Sequence, residues 1–297
     1  MTTICTIPKF DFKTPASVRG ALTTLDKEKS NAKVLAGGTD LILQMKQRTV
    51  CPSVVVDVKR IPELNKLTWN GKNGLRIGAA VTLNSLIAYK RLWDNFNVLA
   101  QACSVIGSVQ IKNRATIAGN ICNAAPSADS APSLLCLGAK VVLTSSNNSR
   151  TVPVEGFFVG PGKTIIANGE LLTAIEIPNP PTPSAGYYLR HTTREEMDIA
   201  VAGVASFLVL SQNGTVKEAR ISLGAVAPTP RRARGAEALI TGQLLTKDII
   251  TQVAEKAAEE TSPISDLRGS ADYRCELIRV LTRRTLYKCC EELGITI

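Results

Sequence analysis

The sequence predicts a mixed helix-and-sheet protein of two domains. Near the N-terminus, short apolar runs alternate with stretches of helical spacing. The stretch Pro178 to Pro183 holds four prolines in six residues, which neither a helix nor a central strand can run through. Beyond it, three strand-like runs precede three helical ones. A boundary at the proline stretch gives domains over 1–178 and 179–297. The length of 297 residues agrees, since a domain takes roughly 150 residues.

The elements follow in order. Ala16 to Glu28 has helical spacing, with Val18, Ala21, Leu22 and Leu25 on one face and Pro15 ahead of it. Lys33 to Ala36 reads as a strand closed by Gly37-Gly38, and Leu41 to Lys46 as a helix. The β-branched run Ser53 to Val58 reads as a buried parallel strand. Leu67 to Trp69 and Leu75 to Gly78 form a hairpin about Asn70-Gly71. Leu83 to Tyr89 and Val98 to Val105 look helical. Gly107 to Pro132, rich in small and polar residues, reads as a long functional loop. Lys140 to Ser145 and Thr151 to Val154 form a second hairpin, and Leu171 to Ile177 is a strand. In the second domain, strands are expected at Tyr187 to Thr192, Ala200 to Leu210 and Val216 to Ala225, the last two joined at Asn213-Gly214. Helices follow at Ala236 to Leu239, Lys247 to Glu260 and Ala271 to Leu293, giving an antiparallel sheet backed by helices.

Composition excludes several classes. With 44% hydrophobic and 20% charged residues, the chain is ordinary for a globular protein. The longest uncharged apolar run, Ile199 to Leu210, is far short of the roughly 20 residues a membrane span needs. Met1 to Lys13 lacks the apolar core of a signal peptide, so a cytoplasmic protein is expected. The net charge of +10 is scattered, and aromatics are only 4%, which argues against nucleic acid. Eight cysteines, at 5, 51, 103, 122, 136, 275, 289 and 290, include no pair two residues apart, so no metal site is expected and reduced, partly buried thiols are.

Two loops carry candidate chemistry. Ala36-Gly37-Gly38-Thr39-Asp40-Leu41 sits between a strand and a helix, where glycines allow close backbone approach and successive amides cradle an anion such as a pyrophosphate. By itself such a pair also serves as a plain turn. Arg114-Ala115-Thr116-Ile117-Ala118-Gly119-Asn120 again pairs a hydroxyl with a glycine and an amide, and Asn123, Ser127 and Asp129 follow. Gly160-Pro161-Gly162-Lys163-Thr164 imitates a phosphate-binding P-loop, but Phe157 stands where that motif needs glycine and Pro161 lacks an N–H. No Gly-x-Gly-x-x-Gly exists, so a Rossmann site is unsupported. The lone histidine, His191, reads as a strand side chain, and Glu195, Glu196 and Asp198 as a solvated turn.

These words resemble a known family, the FAD-binding medium subunit of the molybdenum hydroxylases, which includes xanthine dehydrogenase and aerobic carbon monoxide dehydrogenase. The matching segments are AGGTDL at 36–41, QIKNRATIAGNICNAAPSADSAP at 110–132, GPGKT at 160–164, GELLTAIEIP at 169–178, TREEMDIA at 193–200 and LGAVAPTPRRA at 223–233. The resemblance implies an α+β fold: a vanillyl-alcohol-oxidase-type (PCMH) FAD-binding domain of two subdomains over 1–178, and a carbon monoxide dehydrogenase flavoprotein-like C-terminal domain of antiparallel sheet and helices over 179–297.

It also implies the site. Lys33, Val34, Leu35, Ala36, Gly37, Gly38, Thr39, Asp40 and Leu41 would wrap the pyrophosphate and ribityl of FAD. Thr116, Gly119 and Asn120 would hold the diphosphate from the other side, with Gly107, Ile111 and Ala115 lining the cleft. Asn123 and Asp129 would bind further along the cofactor, Leu172 would pack near the flavin or adenine, and Arg190 would place a cation near the isoalloxazine. No residue is assigned as catalytic and none as a metal ligand. Two departures stand out: Ala118 replaces the first glycine of the family's Thr-Ile-Gly-Gly-Asn, and Arg190 replaces a lysine. The cysteine-rich insertion that binds a [4Fe–4S] cluster in the hydroxybenzoyl-CoA reductases is missing.

The implied role is electron transfer. A large molybdopterin subunit would oxidise substrate, a small subunit with [2Fe–2S] clusters would pass electrons on, and FAD on this chain would deliver them to an external acceptor. NAD, a quinone, ferredoxin and oxygen all stay open as acceptors. The assembly would be a dimer of heterotrimers. The alternatives are a stand-alone FAD-dependent oxidoreductase of the same fold and a non-enzymatic binding protein on that scaffold.

Overall fold

The computed structural model describes residues 7–297; Cys5 and the first part of the Met1 to Lys13 stretch lie outside the described residues. The chain opens with a three-stranded parallel sheet in the order β1 (Asp11–Lys13), β3 (Val54–Asp57), β2 (Ala32–Leu35). The valine run forms the central strand, and all four of its residues are buried. Helix α1 (Val18–Glu28) packs on this sheet through Ala21, Leu22 and Leu25. It starts at Val18 rather than Ala16 because the Ser17 hydroxyl accepts a bond from the Gly20 amide at 3.2 Å and so takes the cap position. Helix α2 (Leu41–Lys46) follows β2 after the glycine turn, as its spacing predicts.

A five-stranded antiparallel sheet comes next, in the order β4 (Leu67–Asn70), β5 (Gly74–Gly78), β10 (Leu171–Ile177), β6 (Lys140–Thr144), β7 (Ser149–Pro153). Both expected hairpins are present. The first turns over three residues rather than two: Asn70 pairs with Gly74, whose φ is +81°, and the Asn70 side-chain oxygen accepts bonds from the amides of Lys72 and Asn73. Between β5 and β6 run the short helices α3 (Leu83–Ile87), α4 (Lys90–Asn95), α5 (Asn97–Ser104), α6 (Val109–Lys112), α7 (Ile117–Cys122) and α8 (Ser130–Cys136). The stretch 107–132, expected as one long loop, thus contains two helices and the start of a third. They are too short to show a helical period in sequence, and Ser108 and Thr116 start two of them as caps. A small hairpin, β8 (Phe158–Gly160) with β9 (Lys163–Thr164), precedes β10.

After the prolines, β11 (Ser184–His191), β12 (Ala202–Leu210), β13 (Val216–Gly224) and β14 (Arg231–Arg232) form an antiparallel sheet in that order. Helices α9 (Arg234–Ile240), α10 (Lys247–Glu259) and α11 (Ala271–Glu292) complete the chain. The expected elements are all found; β13 ends at Gly224 and α10 at Glu259. The turn between β12 and β13 is longer than a two-residue hairpin, because Ser211 and Thr215 still pair, with the Ser211 amide donating to the Thr215 carbonyl at 2.9 Å.

This last sheet is buried on both faces. Along β12, Ala205, Phe207 and Val209 pack into the core of the N-terminal part, while Ala202, Val204 and Leu208 join the second core, which α10 and α11 complete. The run Val201 to Leu210, apolar but for the buried Ser206, reflects that double burial, as it would in a parallel strand. Of the described thiols, Cys103, Cys136, Cys289 and Cys290 are buried and Cys51 is exposed. Burial pushes Cys103, Cys122 and Cys136 up to about 12. Among the described residues, no helix is long and apolar enough to cross a membrane.

Candidate functional site

The two candidate loops meet. A Cβ built on Gly37 would lie 2.5 Å from the carbonyl oxygen of Arg114 and 2.7 Å from the Cα of Ala115. Only a residue without a side chain lets these two backbones touch. Gly38 is glycine for a different reason: its φ of +79° is left-handed. Loop and helix are also tied by side chains, since Gln44 of α2 donates to the Asn123 side-chain oxygen at 3.2 Å. The second loop is fixed to its neighbour as well, with the Leu83 amide donating to the Ala115 carbonyl at 2.8 Å.

The donor set suits phosphate. Among the described residues, the amides of Gly37, Gly38 and Thr39 bond no other protein group. Across the junction, Thr116 is buried and caps α7, its oxygen accepting from the Gly119 amide at 2.9 Å. That bond uses the oxygen as acceptor and leaves the hydroxyl proton available to donate. Asn120 accepts from Ser130 at 2.6 Å, which leaves its NH2 group free. Ala118 lies inside α7 and is buried, and it is not among the residues with positive φ, so this departure costs no backbone strain.

The remaining expected residues are spread over several elements. Lys33, Val34 and Leu35 are on β2; Ala36, Gly37, Gly38 and Thr39 form the turn, Asp40 precedes α2 without a side-chain capping bond and Leu41 opens the helix. Gly107, with φ +59°, packs against Ile111 of α6, and the buried Ala115 follows. Leu172 is buried on β10. Asp129 and Arg190, read separately in the sequence, form one ion pair at 2.8 Å, with 9% and 7% of their side chains exposed. The Tyr188 hydroxyl donates to the other carboxylate oxygen at 2.6 Å. Desolvation pushes the Asp129 carboxyl up, and the Arg190 charge and both hydrogen bonds oppose that shift. The Arg190 cation is therefore already balanced by the protein.

Two motif words without an assigned role act as props for the site loop. The Gly162 amide of the P-loop look-alike, which turns the β8–β9 hairpin at φ +68°, donates to the Ala124 carbonyl at 2.9 Å. The Ala225 amide, from LGAVAPTP, donates to the Pro126 carbonyl at 2.8 Å. Ala124 and Ala225 both sit at positive φ, +48° and +65°, so the loop carries strain that these bonds hold in place. His191 ends β11 and meets the Tyr273 hydroxyl at 3.2 Å, as a strand side chain. Asp198 accepts bonds from Thr193 and from the amides of Arg194 and Ile199, which hold its carboxyl well below the usual range.

Sequence reasoning missed Tyr188 and Lys46. Tyr188 lies two residues before Arg190 on β11, so strand alternation places both on one face. Lys46 follows Ile42 by one helical turn on α2 and lines the same pocket as the glycine turn.

A domain family described as "FAD binding domain in molybdopterin dehydrogenase" matches residues 8–180, and one described as "CO dehydrogenase flavoprotein C-terminal domain" matches 187–289. The chain belongs to the family of FAD-binding subunits of the molybdopterin dehydrogenases. Within this flavoprotein family it is similar to the xanthine dehydrogenase FAD-binding subunit of Escherichia coli O157:H7, 34% identical over 291 residues, 96% of this chain and 98% of that protein. It is similar to the carbon monoxide dehydrogenase medium chain of Hydrogenophaga pseudoflava, 34% identical over 279 residues, 94% of this chain and 96% of that one. A solved carbon monoxide dehydrogenase from Hydrogenophaga pseudoflava, in a form lacking the Mo-pyranopterin moiety of its cofactor, superposes with a TM-score of 0.92. That match is 34% identical and covers 97% of this chain and 99% of the other. A structure of quinoline 2-oxidoreductase from Pseudomonas putida 86 reaches 0.90 at 28% identity, over 97% and 99% of the two chains. The flavoprotein family is thus an oxidoreductase family, and its α+β fold is the fold described above.

Proposed function

We propose that this chain is the FAD-carrying, electron-transferring subunit of a multi-subunit molybdenum hydroxylase. The observation that supports the reading is the close approach of Gly37 to the Arg114–Ala115 backbone, which brings two donor-rich loops together. The residues fit the cofactor. Unbonded amides at 37–39, the Thr116 hydroxyl and the Asn120 NH2 group are what a diphosphate accepts from. FAD supplies the ability to take up and release electrons singly or in pairs. The chain's own residues then bind and orient it: Lys33 through Leu41 along one side, Gly107, Ile111, Ala115, Thr116, Gly119, Asn120 and Asn123 along the other. Asp129 would bind further along the cofactor, Arg190 would stand near the isoalloxazine, and Leu172, buried on β10, would pack near the flavin or adenine.

In this reading electrons come from [2Fe–2S] clusters on a small subunit, substrate is oxidised at a molybdopterin cofactor on a large subunit, and an external acceptor takes the electrons away. Two such trimers pair in the cytoplasm. The division falls at the proline stretch, with an FAD-binding part over 1–178 and a C-terminal part over 179–297. The expected result on purification is co-isolation of two further polypeptides and a visible spectrum with flavin and [2Fe–2S] absorption. A colourless chain that takes up no FAD, or turnover of an organic substrate by this chain alone, contradicts the reading.

A further inference from the structure

We propose that Lys46 and Arg114 are the charged walls of the dinucleotide site, neutralising the diphosphate of FAD and selecting a dinucleotide over an uncharged flavin. The proposal rests on the FAD reading above and adds to it residues that the backbone motifs do not contain.

A pocket of about 410 Å³ lies beside the glycine turn, where the parallel strands β2 and β3 end. The turn at 37–39 forms one side, and Leu35, Ile42 and Leu43 supply apolar surface on another. Three cations line the pocket: Lys46, Lys59 and Arg114. They are not equivalent. Lys59 is paired with Asp57 at 2.8 Å, so its charge is already met. Lys46 and Arg114 have no carboxylate partner among the described residues. Their positions are set by separate parts of the fold. Arg114 is fixed by the same backbone contact that brings the loops together, its carbonyl lying against Gly37. Lys46 closes α2 one turn beyond Ile42.

Two unbalanced cations facing a pocket that is also lined by unbonded amides define a site for a compact anion. The apolar side suits a ring. A nucleoside diphosphate has both features, and the ADP moiety of FAD is one. Riboflavin has the ring system of the flavin but no phosphate, so the two cations give it nothing. Both side chains are exposed, so removing them leaves the core intact.

The test uses the full chain stripped of flavin, titrated with FAD, with riboflavin and with ADP as competitor, at low and high salt. The double variant Lys46→Gln/Arg114→Gln is compared with wild type and with Lys247→Gln, a change on the distant helix α10. Expected is a rise of about tenfold in the FAD dissociation constant at low salt, since hydrogen bonds to charged groups exceed neutral ones and exposure discounts them. The salt dependence of FAD binding should flatten, ADP should compete less well, and the riboflavin dissociation constant should not move. Lys247→Gln should match wild type. An unchanged FAD constant with an unchanged salt slope in the double variant overturns the proposal and leaves the FAD reading standing. Failure of wild type to bind FAD at all overturns both.

Discussion

Gly37→Val lowers the affinity of the chain for FAD by roughly 100-fold, with a smaller loss of stability. The physical reason is steric and local. A Cβ at this position would sit 2.5 to 2.9 Å from three backbone atoms of Arg114 and Ala115. Backbone cannot swing aside as a flexible side-chain tip can, so the two loops must separate. Overpacking of this kind costs about 3 kcal/mol. Expressed in the bound state, that is roughly two decades in dissociation constant. Valine also stiffens a turn whose next residue, Gly38, must reach φ +79°. In the proposed complex the measurement is the ratio of flavin to iron–sulfur absorption, which should fall, since in that reading the clusters lie on another subunit. Flavin content equal to wild type would remove Gly37 from the site. Ala115 gives a useful contrast: it is buried in the same junction but already carries a Cβ, so Ala115→Gly should leave the loops in contact.

The second large effect is on stability. Asp129→Asn strands the Arg190 guanidinium, 7% exposed, without its anion. Breaking one side of a buried pair costs about 3 to 5 kcal/mol, most of it the penalty of an uncompensated charge. Asparagine keeps the shape and can still accept from the Tyr188 hydroxyl, so the loss isolates the charge. Urea unfolding should show the midpoint falling sharply for Asp129→Asn and recovering in large part when Arg190→Met removes the stranded cation as well. Additive losses in the double variant would mean that the two residues do not act as a pair. The pair has a structural consequence beyond its energy. Asp129 lies in the loop just before α8, and Arg190 and Tyr188 lie on β11 of the last sheet. The contact therefore fastens the stretch that leads into α8 to β11 of the last sheet.

Much of this architecture was legible in the residues, and the parts that were not share a cause. The valine run, the helix after the glycine turn and the nine-residue strands Ala202–Leu210 and Val216–Gly224 are long or strongly patterned, and they fall where their pattern places them. Helices α6, α7 and α8 span only four, six and seven residues, so packing and caps rather than periodicity decide them. The site shows the same division. Gly37 and Thr116 are visible as loop chemistry, but nothing local says that one loop's glycine is needed for the other loop's backbone. Asp129 and Arg190 are 61 positions apart, and no spacing rule joins them. Gly162 looked like half of a phosphate motif, whereas its amide supports Ala124. In each case the missing information is a long-range contact, which composition and periodicity do not encode.

In the proposed reading, residues 37–41 and 116–120 grip one cofactor between them. Hydrogen–deuterium exchange of the full chain, with and without FAD, addresses it at the level of single amides. FAD is expected to slow exchange in both segments together, most of all at Gly37, Gly38 and Thr39, whose amides bond no other group among the described residues. Slowing confined to one segment, or appearing only elsewhere in the chain, would contradict it.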